Sequence, residues 1–566
     1  MITIDCSRAS LAEWPKKLDT KQIYRKFGSP AWIVDEKQLC ANVEQYAAFT
    51  DDPGRIFYPV KTNPSLTVLE LLAKMGTGAD CASQLEINLA LFAGISIRNI
   101  SYNAPAQDLR ICQSLLTSGA NVVMDDVEAI VELQNVLKNV AITGKLFLRV
   151  NLPDYIGYAN KNDNQELMAH GHKSSKFGIP SEELKDMLKR ITIPVSGLHV
   201  HVGTQMDNMK SFEYAISCLN DIADDLNETG LSITDINIGG GLGIPFDSNQ
   251  EFPSLEHWSS SMKALQKADY RYGVEPGHAL VGNAVALLTS VLTVKNSRGK
   301  KWAIADVGTD QLAKVTLLKW PHRILNESGE ELQPGSDAVA GPLCFAGDTL
   351  AENIDASPLK KGSPLLITEA GAYTFSLSNK FNGRVAPKWL LHKPNGVLIQ
   401  TMENESVYDE SHHAKYDWNI SGKSVQTQML GKDIAERLSS QYLKQTSMDD
   451  SFEYQNICIE NDKAYKFMVV TSSVVDFISM PFAIRIMGDA TIISILHSKG
   501  FDKKDSQVWG RKLSMDCLGK VASNGPLEFT VSLSETIIKG NKNIVIARFK
   551  TSCNHCSGSL IVSYED

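Results

Sequence analysis

The sequence Phe57-Tyr58-Pro59-Val60-Lys61-Thr62-Asn63-Pro64 carries a single lysine, Lys61, from an apolar run into a turn that Pro64 stiffens. An apolar run of this kind is typical of a buried strand. Burial disfavours the charged form of an amine, and only the neutral amine attacks an aldehyde, so we expect a lowered pKa and covalent catalysis at Lys61. Most lysines that follow a strand are instead solvated. The rest of the chain must therefore decide between a catalytic and a solvated Lys61.

Short apolar runs alternate with amphipathic stretches on both sides of Lys61. The runs lie at residues 31–34, 56–60, 99–102, 122–124, 145–150, 195–202 and 233–238, and stretches of helical character separate them. Strands separated by helices of ~10–15 residues pair in parallel. About eight such units predict a (β/α)8 barrel over residues 30–270.

The pattern changes after residue 270. Residues 271–395 contain β-rich segments between glycine and proline turns, and together with residues 1–29 they predict a mostly β domain. Residues 396–430 are polar and irregular, as in a linker. Residues 431–566 contain a long apolar helix at 481–499 followed by alternating strands. The predicted fold class is therefore α/β, with a (β/α)8 barrel and a mostly β domain, followed by an α+β C-terminal domain.

Size and composition narrow the classes of function. A chain of 566 residues exceeds one hydrophobic core, so we expect several domains. The net charge of -9 argues against an electrostatic nucleic-acid binder. No apolar stretch approaches the ~20 residues of a membrane span, and the first residues lack a signal-peptide pattern. We therefore expect a cytoplasmic protein with neither a membrane nor a nucleic-acid partner.

The cysteines do not form the pattern of a disulfide framework. Ten of them are spread over the chain, most within apolar segments, so reduced thiols are expected. The close pair Cys553 and Cys556 has the spacing of half a zinc site, but no second pair follows it. We predict a loop between strands there and no metal site.

A binding site for pyridoxal 5'-phosphate (PLP) needs a phosphate cradle, a partner for the pyridine nitrogen, a group that stacks on the ring, and a lysine. Gly239-Gly240-Gly241 follows an apolar strand, where backbone N–H groups can approach a phosphate. Glu275, in Val274-Glu275-Pro276-Gly277-His278, follows another strand, and His199 and His201 share one strand face. Each feature has an ordinary alternative: a simple loop, a surface turn, or half of a metal site.

The order of these motifs resembles that of the fold type III PLP-dependent decarboxylases, the family of ornithine, arginine and diaminopimelate decarboxylases. The resemblance covers about residues 20–395. Further matching segments are residues 78–86 (Gly-Ala-Asp-Cys-Ala-Ser-Gln-Leu-Glu), 176–178 (Lys-Phe-Gly) and 370–373 (Ala-Gly-Ala-Tyr). Residues 375–384 look more like the diaminopimelate branch than the ornithine branch.

The resemblance implies a role for each matching residue. Lys61 would bond to the cofactor aldehyde, Glu275 would pair with the pyridine nitrogen, and His201 would stack on the ring. The remaining residues of the implied cofactor site are Asp80, Glu86, Arg149, Thr204, Gly240, Gly241, Gly277, His278 and Tyr373. Cys344 matches the cysteine that returns a proton to the substrate after carbon dioxide leaves. In the family that cysteine comes from the partner subunit, so a homodimer with shared active sites is implied.

Two departures from the family pattern concern the substrate. Phe345 stands where the family usually has an acidic residue, and a distal ammonium left unpaired beside it would cost several kcal/mol. His278 stands where the family usually has arginine. An imidazole binds a phosphate or a substrate carboxylate less strongly than a guanidinium group, which can form two parallel hydrogen bonds. Free ornithine or lysine is therefore a poor substrate guess. We expect a modified, conjugated or carrier-bound amino acid, contacted by Phe345 and Asp348.

The C-terminal pattern of one apolar helix and several antiparallel strands resembles the hotdog fold, and its ending resembles long-chain acyl thioesterases of that fold. Asp489 is the acid inside the apolar helix, and a buried carboxylate can act as general base for thioester hydrolysis. Asp476 and His497 are lesser candidates. The alternative is a non-catalytic dimerisation module, with Asp476 capping a helix and Asp489 facing solvent.

The sequence thus predicts a PLP-dependent amino-acid decarboxylase with an appended domain that binds or cleaves an acyl thioester, linked to coenzyme A or a carrier. A second interpretation is a decarboxylase of diaminopimelate or of a siderophore or polyamine precursor, with an inert hotdog domain. A third is a PLP-binding protein without turnover. The complete set of Lys61, His201, Glu275, Cys344 and Tyr373 argues against the third interpretation.

Overall fold

The structure is a computed structural model, and it describes residues 7–152, 175–402, 428–429, 451–461, 464–472, 480–498, 508–517, 526–533, 537–539, 542–551 and 556–564. The chain divides into two compact units, residues 1–407 and 408–566. Within the described ranges, no helix is long and apolar enough to cross a membrane.

The first unit contains the barrel and the β domain. Its strands are, in chain order, β1 (Ala31–Asp35), β2 (Phe57–Pro59), β3 (Gly78–Cys81), β4 (Ile100–Asn103), β5 (Asn121–Met124), β6 (Lys145–Asn151), β7 (Ile179–Pro180), β8 (Gly197–His199), β9 (Asp235–Asn237), β10 (Arg271–Gly273), β11 (Val285–Ser297), β12 (Lys300–Ala305), β13 (Ile324–Leu325), β14 (Pro334–Ala340), β15 (Thr349–Ile354), β16 (Pro364–Ile367), β17 (Lys388–His392) and β18 (Leu398–Met402). Its α-helices are α1 (Thr20–Phe27), α2 (Glu36–Gln45), α3 (Leu66–Lys74), α4 (Gln84–Phe92), α5 (Leu109–Ser118), α6 (Val127–Val136), α7 (Leu184–Leu188), α8 (Met209–Glu228), α9 (Leu255–Ala264), α10 (His278–Val281) and α11 (Ala313–Leu317).

Eight parallel strands form the barrel in the order β2-β3-β4-β5-β6-β8-β9-β10, and β7 pairs with β6 beside them. The first and last strands meet through Val274, whose carbonyl accepts from Phe57 N–H at 2.8 Å and whose N–H donates to Arg55 O at 3.0 Å. Aspartate or serine side chains cap many of the helices between the strands; Ser83, for example, accepts from Glu86 N–H. The predicted (β/α)8 barrel is confirmed.

A charge cluster pins the amino ends of the barrel strands. Asp235 begins β9 and is buried, and its carboxylate lies within 2.8–2.9 Å of Arg55 Nη1, Lys145 Nζ and Arg271 Nη2. Burial alone would raise the pKa of Asp235, but Lys145 and Arg55 hold it below its ordinary value. The barrel is therefore fastened by electrostatics at the end opposite to the strand ends that carry Lys61 and Glu275.

The β domain is built on a sheet of order β15-β14-β12-β11-β1-β17-β18, and β16 pairs with β11 and β13. Apolar side chains of five of these strands form its core with α1: Ile23, Ala31, Ile33, Ala286, Leu288, Leu325, Leu366 and Leu390. The predicted mostly β domain is confirmed, and it includes a strand from the start of the chain.

The observed strands correct the predicted domain boundaries at three points. Residues 31–34 were expected to open the barrel, but β1 pairs antiparallel with β11 and parallel with β17 in the β domain. An apolar run has the same pattern in either sheet, and only its partners decide where it lies. The eighth barrel strand, β10, lies beyond residue 270. Finally, β18 pairs with β17 inside the interval predicted as linker.

The second unit combines one long helix with an antiparallel sheet. Its elements are β19 (Gln428–Met429), β20 (Ser451–Asn461), β21 (Ala464–Ser472), α12 (Met480–Ser498), β22 (Val508–Cys517), β23 (Pro526–Leu533), β24 (Ile537–Lys539), β25 (Lys542–Thr551) and β26 (Cys556–Tyr564). The sheet order is β19-β20-β21-β23-β25-β26-β22, and apolar residues of α12 share a core with β21, β23 and β25. The predicted helix and the strands after it are observed, whereas β20 was not predicted. Residues 434–444, whose amphipathic pattern also predicts a helix, lie outside the described residues.

Candidate active site

A cavity of about 240 Å³ opens where the barrel strands end. Lys61 follows β2, Asn103 ends β4, and His201 lies two residues after β8. The carboxyl ends of parallel barrel strands meet at one face, which explains why residues so far apart in sequence share one cavity. The predicted site residues that line it are Lys61, Arg149, His201, Thr204, Gly241, Glu275, Gly277, His278 and Tyr373.

Lys61 lies on a single helical turn after β2, and its Nζ donates to Asp80 Oδ2 at 2.6 Å. Desolvation by itself would lower the pKa of Lys61, but Asp80, with Tyr373 and Glu275, raises it above its ordinary value. Burial and the charge of Glu275 raise the pKa of Asp80 to about 7. The expected lowering of the Lys61 pKa is wrong, because a buried carboxylate accepts a hydrogen bond from the amine.

Glu275 follows β10 and is buried beneath the cavity. Asn237 Nδ2 donates to its Oε1 at 2.9 Å, and His199 Nε2 lies 3.1 Å from its Oε2. Burial alone would raise the pKa of Glu275, but His199, Lys61 and Arg149 hold it below its ordinary value. Glu275 is therefore an anion in a fixed orientation, which is what a partner of a protonated pyridine nitrogen requires.

The glycine run packs closely against the backbone of Glu275 and against His201. Gly240 N–H donates to His201 Nδ1 at 3.0 Å, so the neutral imidazole carries its proton on Nε2. A Cβ on Gly240 would lie 1.8 Å from the carbonyl oxygen of Glu275, and Gly241 has a φ of 126°. The run is thus more than a flexible loop, since its glycines let the chain approach the backbone of Glu275 and the side chain of His201.

Arg149 and Glu86 support the site from two sides. Arg149 Nη1 donates to Asn103 Oδ1 at 3.3 Å, and its guanidinium lies 4.4 Å from the centroid of the Phe177 ring. Glu86 accepts from Ala82 N–H at 2.7 Å, which braces the turn after β3. Arg149 lines the cavity, whereas Glu86 lies behind it.

Tyr373 and His278 form the wall at the other end of the cavity. Their ring centroids are 4.9 Å apart, and Tyr373 N–H donates to Thr62 O at 2.9 Å, which ties this wall to the turn of Lys61. Burial lowers the pKa of His278 far below its ordinary value, and Lys314 and His322 lower it further. The residue in the family's arginine position is therefore an uncharged imidazole.

The loop of residues 341–348 does not line the cavity of its own chain. Cys344 and Phe345 are exposed. Asp348 is buried, and its carboxylate accepts from Thr309 N–H at 2.7 Å and from Leu343 N–H at 2.8 Å. We expected Asp348 to contact substrate, but its carboxylate instead holds the loop that presents Cys344.

Several supporting residues were not assigned their roles from the sequence. His199 was noticed beside His201, but not as the partner of Glu275. Asn237 was missed, although a polar residue inside the apolar run at 233–238 could have signalled it. Phe177 lies in the matching segment 176–178, but its contact with Arg149 was not predicted. Asn103 and Lys314 carried no local signal, because each acts only through neighbours that are distant in sequence.

In the second unit, Asp489 lies on α12 and is buried, so the alternative of a solvent-facing Asp489 is wrong. Tyr465 OH lies 3.0 Å from His497 Nδ1, and burial lowers the pKa of His497. Asp476 and Cys553 lie outside the described residues, and Cys556 begins β26. Across the described part of the chain, no group of three or more His, Cys, Asp or Glu side chains is arranged to hold a metal ion.

Comparison with known proteins agrees with this geometry. Residues 36–282 match the family model "Pyridoxal-dependent decarboxylase, pyridoxal binding domain". The diaminopimelate decarboxylase of Methanothermobacter thermautotrophicus is 30% identical over 407 residues, which is 69% of this chain and 92% of that protein. The chain belongs to the family of PLP-dependent decarboxylases.

Solved structures of this family share the fold. The diaminopimelate decarboxylase of Methanocaldococcus jannaschii, in complex with L-lysine, superposes with a TM-score of 0.59 at 25% identity, over 68% of this chain and 91% of that one. The enzyme of Helicobacter pylori, also with L-lysine, gives a TM-score of 0.61 at 23% identity, over 70% of this chain and 99% of that one. The chain is thus a fold type III decarboxylase of amino acids, similar to diaminopimelate decarboxylases, with PLP as its cofactor.

The residues of the cavity fit that cofactor. One amine, one buried anionic carboxylate, one oriented imidazole and a tightly packed glycine run meet in a single cavity. Asp80 Oδ1 and His278 Nε2 are also buried at this site without a hydrogen-bond partner among the described residues. Such atoms are expected where a polar ligand completes the site.

Replacing Asp80 with asparagine tests the electrostatics of Lys61. The change removes the charge that raises the Lys61 pKa, so the amine becomes neutral at lower pH. We expect the rate at which the apoprotein bonds to PLP, followed by absorbance, to begin its rise at lower pH in Asp80→Asn than in the wild type. Asp225→Asn, which removes one partner of an exposed ion pair with Lys185, is the matched control. An unchanged pH profile in Asp80→Asn would contradict this account of Lys61.

Proposed function

We propose that this decarboxylase acts on an amino acid whose far end carries no free ammonium group, such as a modified or carrier-bound amino acid. It works as a homodimer in which each cavity is completed by Cys344 of the partner subunit. The observation that carries the proposal is the separation of two groups within one chain. Lys61 and Glu275 line the cavity, whereas Cys344 and Phe345 are exposed outside it.

PLP supplies an electron sink that stabilises negative charge at the substrate carbon when the carboxylate leaves. Lys61 would hold the cofactor aldehyde through its amine. Glu275 accepts a hydrogen bond from the protonated pyridine nitrogen, and His199 and Asn237 keep its carboxylate in place. His201 packs on the ring in the orientation that Gly240 N–H imposes. The phosphate would be bound by Thr204, Gly240, Gly241 and Tyr373.

An exposed apolar patch supports the shared site. Phe345 is 49% exposed, Leu317 63% and Phe381 50%. Cys344 N–H donates to Asn382 Oδ1, and Thr316 Oγ1 donates to Gly347 O, so the segments that carry these residues meet around the Cys344 loop. A contiguous exposed apolar surface marks a protein–protein interface. The Cys344 thiol then donates the proton to the substrate carbon in the other subunit.

Phe345 sets the expected substrate class. It is adjacent to Cys344, so it enters the partner's cavity together with the thiol. An aromatic ring provides no counter-charge for a distal ammonium, and burying that charge unpaired is costly. An amidated, acylated or carrier-linked side chain avoids this cost. A diaminopimelate-type or siderophore or polyamine-precursor substrate is the alternative.

Mixing two inactive variants tests the shared site. Lys61→Ala loses PLP absorbance and activity, and Cys344→Ala loses the proton donor. Subunits that exchange freely between the two proteins should recover about a quarter of wild-type activity, because half of the dimers are mixed and each contains one intact site. Capture of untagged Cys344→Ala by affinity-tagged Lys61→Ala is the control for exchange. No recovery in an exchanging Lys61→Ala and Cys344→Ala mixture would contradict a shared site.

Release of carbon dioxide from free, acylated and carrier-linked amino acids tests the substrate class. Phe345→Glu restores a counter-charge, so we expect kcat/KM for free lysine to rise by about tenfold over the wild type. Phe345→Leu keeps the apolar character and should show no gain. Rapid turnover of free basic amino acids by the wild-type enzyme would overturn the argument from Phe345.

We also propose that the second unit is a hotdog domain that binds or hydrolyses an acyl thioester, with Asp489 as general base. The strand order supports this proposal, because β21 precedes α12 and β22, which follows the helix, pairs with β26 at the far edge of the sheet. The complete burial of Asp489 on an apolar helix supports a role other than that of a solvated surface carboxylate. A non-catalytic dimerisation domain is the alternative.

Thiol release from acyl-coenzyme A tests this assignment. Asp489→Asn should lower hydrolysis by roughly 10²–10⁴-fold, since it removes the base that activates water. Ser494→Ala, which alters another buried polar side chain on the same helix, is the control. Equal hydrolysis by Asp489→Asn and wild type would remove Asp489 from the mechanism, and no hydrolysis by the wild type would leave a binding or dimerisation role.

A further inference from the structure

A second buried lysine, Lys314, lies behind the wall formed by His278 and Tyr373. It belongs to α11, and its side chain has no exposure to solvent. Its Nζ donates to Ala372 O at 2.9 Å and lies 4.5 Å from the centroid of the Phe246 ring. A fully buried ammonium normally has a carboxylate partner, whereas the contacts of Lys314 are a carbonyl and aromatic faces.

Three other titratable groups lie around Lys314. Two are the buried histidines His278 and His322, and the third is Glu369, which already forms an ion pair. Burial lowers the pKa of Lys314 to about 7, although the charge of Glu369 acts to raise it. Glu369 is itself paired with Arg323 at 3.1 Å. Burial first and then the charge of Lys314 lower the pKa values of His278 and His322 far below their ordinary value. The three bases thus share at most one positive charge, and Lys314 carries it.

The cluster adjoins the cavity through two short connections. His278 lines the cavity and lies between Tyr373 and Trp320, with ring centroids 4.9 Å and 5.4 Å away. Ala372, whose carbonyl Lys314 holds, directly precedes Tyr373, and Tyr373 has a backbone φ of 52°. Lys314 therefore fixes the segment that presents the Tyr373 side chain, and its charge lies one layer behind the cavity wall.

We propose that Lys314 supplies, from behind this wall, the positive charge that holds the cofactor phosphate, and that it takes up a proton when the phosphate binds. The inference rests on the proposed function, which places the phosphate against Tyr373. A neutral imidazole at position 278 provides a hydrogen bond but no charge. A dianion in a closed site attracts a cation in the next layer strongly, because the effective dielectric constant there is far below that of water.

The sign of the pH dependence follows from this linkage. Binding of the phosphate raises the pKa of Lys314 above its value of about 7 in the free protein. Below pH 7 Lys314 is charged in both states, and affinity for the phosphate is greatest. As the pH rises from 7 towards the raised pKa, the free protein loses the proton and the affinity falls. Arginine at this position would stay charged throughout, and methionine would never be charged.

The experiment uses pyridoxine 5'-phosphate, which has an alcohol in place of the aldehyde and therefore cannot bond to Lys61. Its Kd is measured by tryptophan fluorescence between pH 6 and 9 for the full-length wild type, Lys314→Met and Lys314→Arg. At pH 6 we expect Lys314→Met to bind about tenfold more weakly than the wild type. Towards pH 9 the wild type should approach Lys314→Met, whereas Lys314→Arg should keep the higher affinity.

Equal Kd values for wild type and Lys314→Met at every pH would overturn the inference. An unchanged Kd in Lys314→Met together with a raised KM for the substrate would also overturn it, because Lys314 would then act on the substrate. If the variants do not fold, competition by sulfate, whose charge is constant over this range, replaces them. Sulfate affinity for the wild type should fall above pH 7, and a flat profile overturns the inference. A wild-type protein that binds no PLP would instead overturn the proposed function.

Discussion

The closure of the barrel between Phe57 and Val274 is the constraint on which the rest of the site depends. Two backbone hydrogen bonds join the first strand to the chain after the last one. Lys61 follows the first of these strands by two residues, and Glu275 follows the last. Without that closure, the amine and the carboxylate would stand at opposite edges of an open sheet. With it, both line a single cavity, and the charge cluster around Asp235 secures the same closure from the other end of the strands.

Electrostatics then assigns a state to each group in the cavity. Asp80 keeps the amine of Lys61 charged, and His199, Lys61 and Arg149 keep Glu275 anionic. His278 is neutral because burial and Lys314 oppose its protonation. The cavity wall therefore presents an anionic carboxylate at Glu275 and an uncharged imidazole at His278. Such a division suits a cofactor that carries a pyridine nitrogen at one side and a phosphate at another.

Much of this arrangement could be predicted from the chain. The alternation of apolar runs and helical stretches predicted the barrel, and the ordered motifs around Lys61, His201, Glu275 and Tyr373 predicted which residues share the cavity. The predictions were wrong where the outcome depends on contacts with residues that are distant in sequence. The run at 31–34 has the pattern of a barrel strand, but its hydrogen bonds go to β11 and β17. Burial alone argued for a lowered Lys61 pKa, but Asp80 reversed the direction.

The sequence by itself determined the type of fold, the candidate lysine and the motif order, because strand and helix periodicity and short motifs are local properties of the chain. Only the tertiary structure decided which strands close the barrel and that His199 fixes Glu275. It alone showed that Asp348 supports its own loop and that Lys314 lies behind the cavity wall. These features arise from groups that are distant in sequence and close in space, where burial, charge and hydrogen-bond geometry act together. Such terms exist only once the chain has folded.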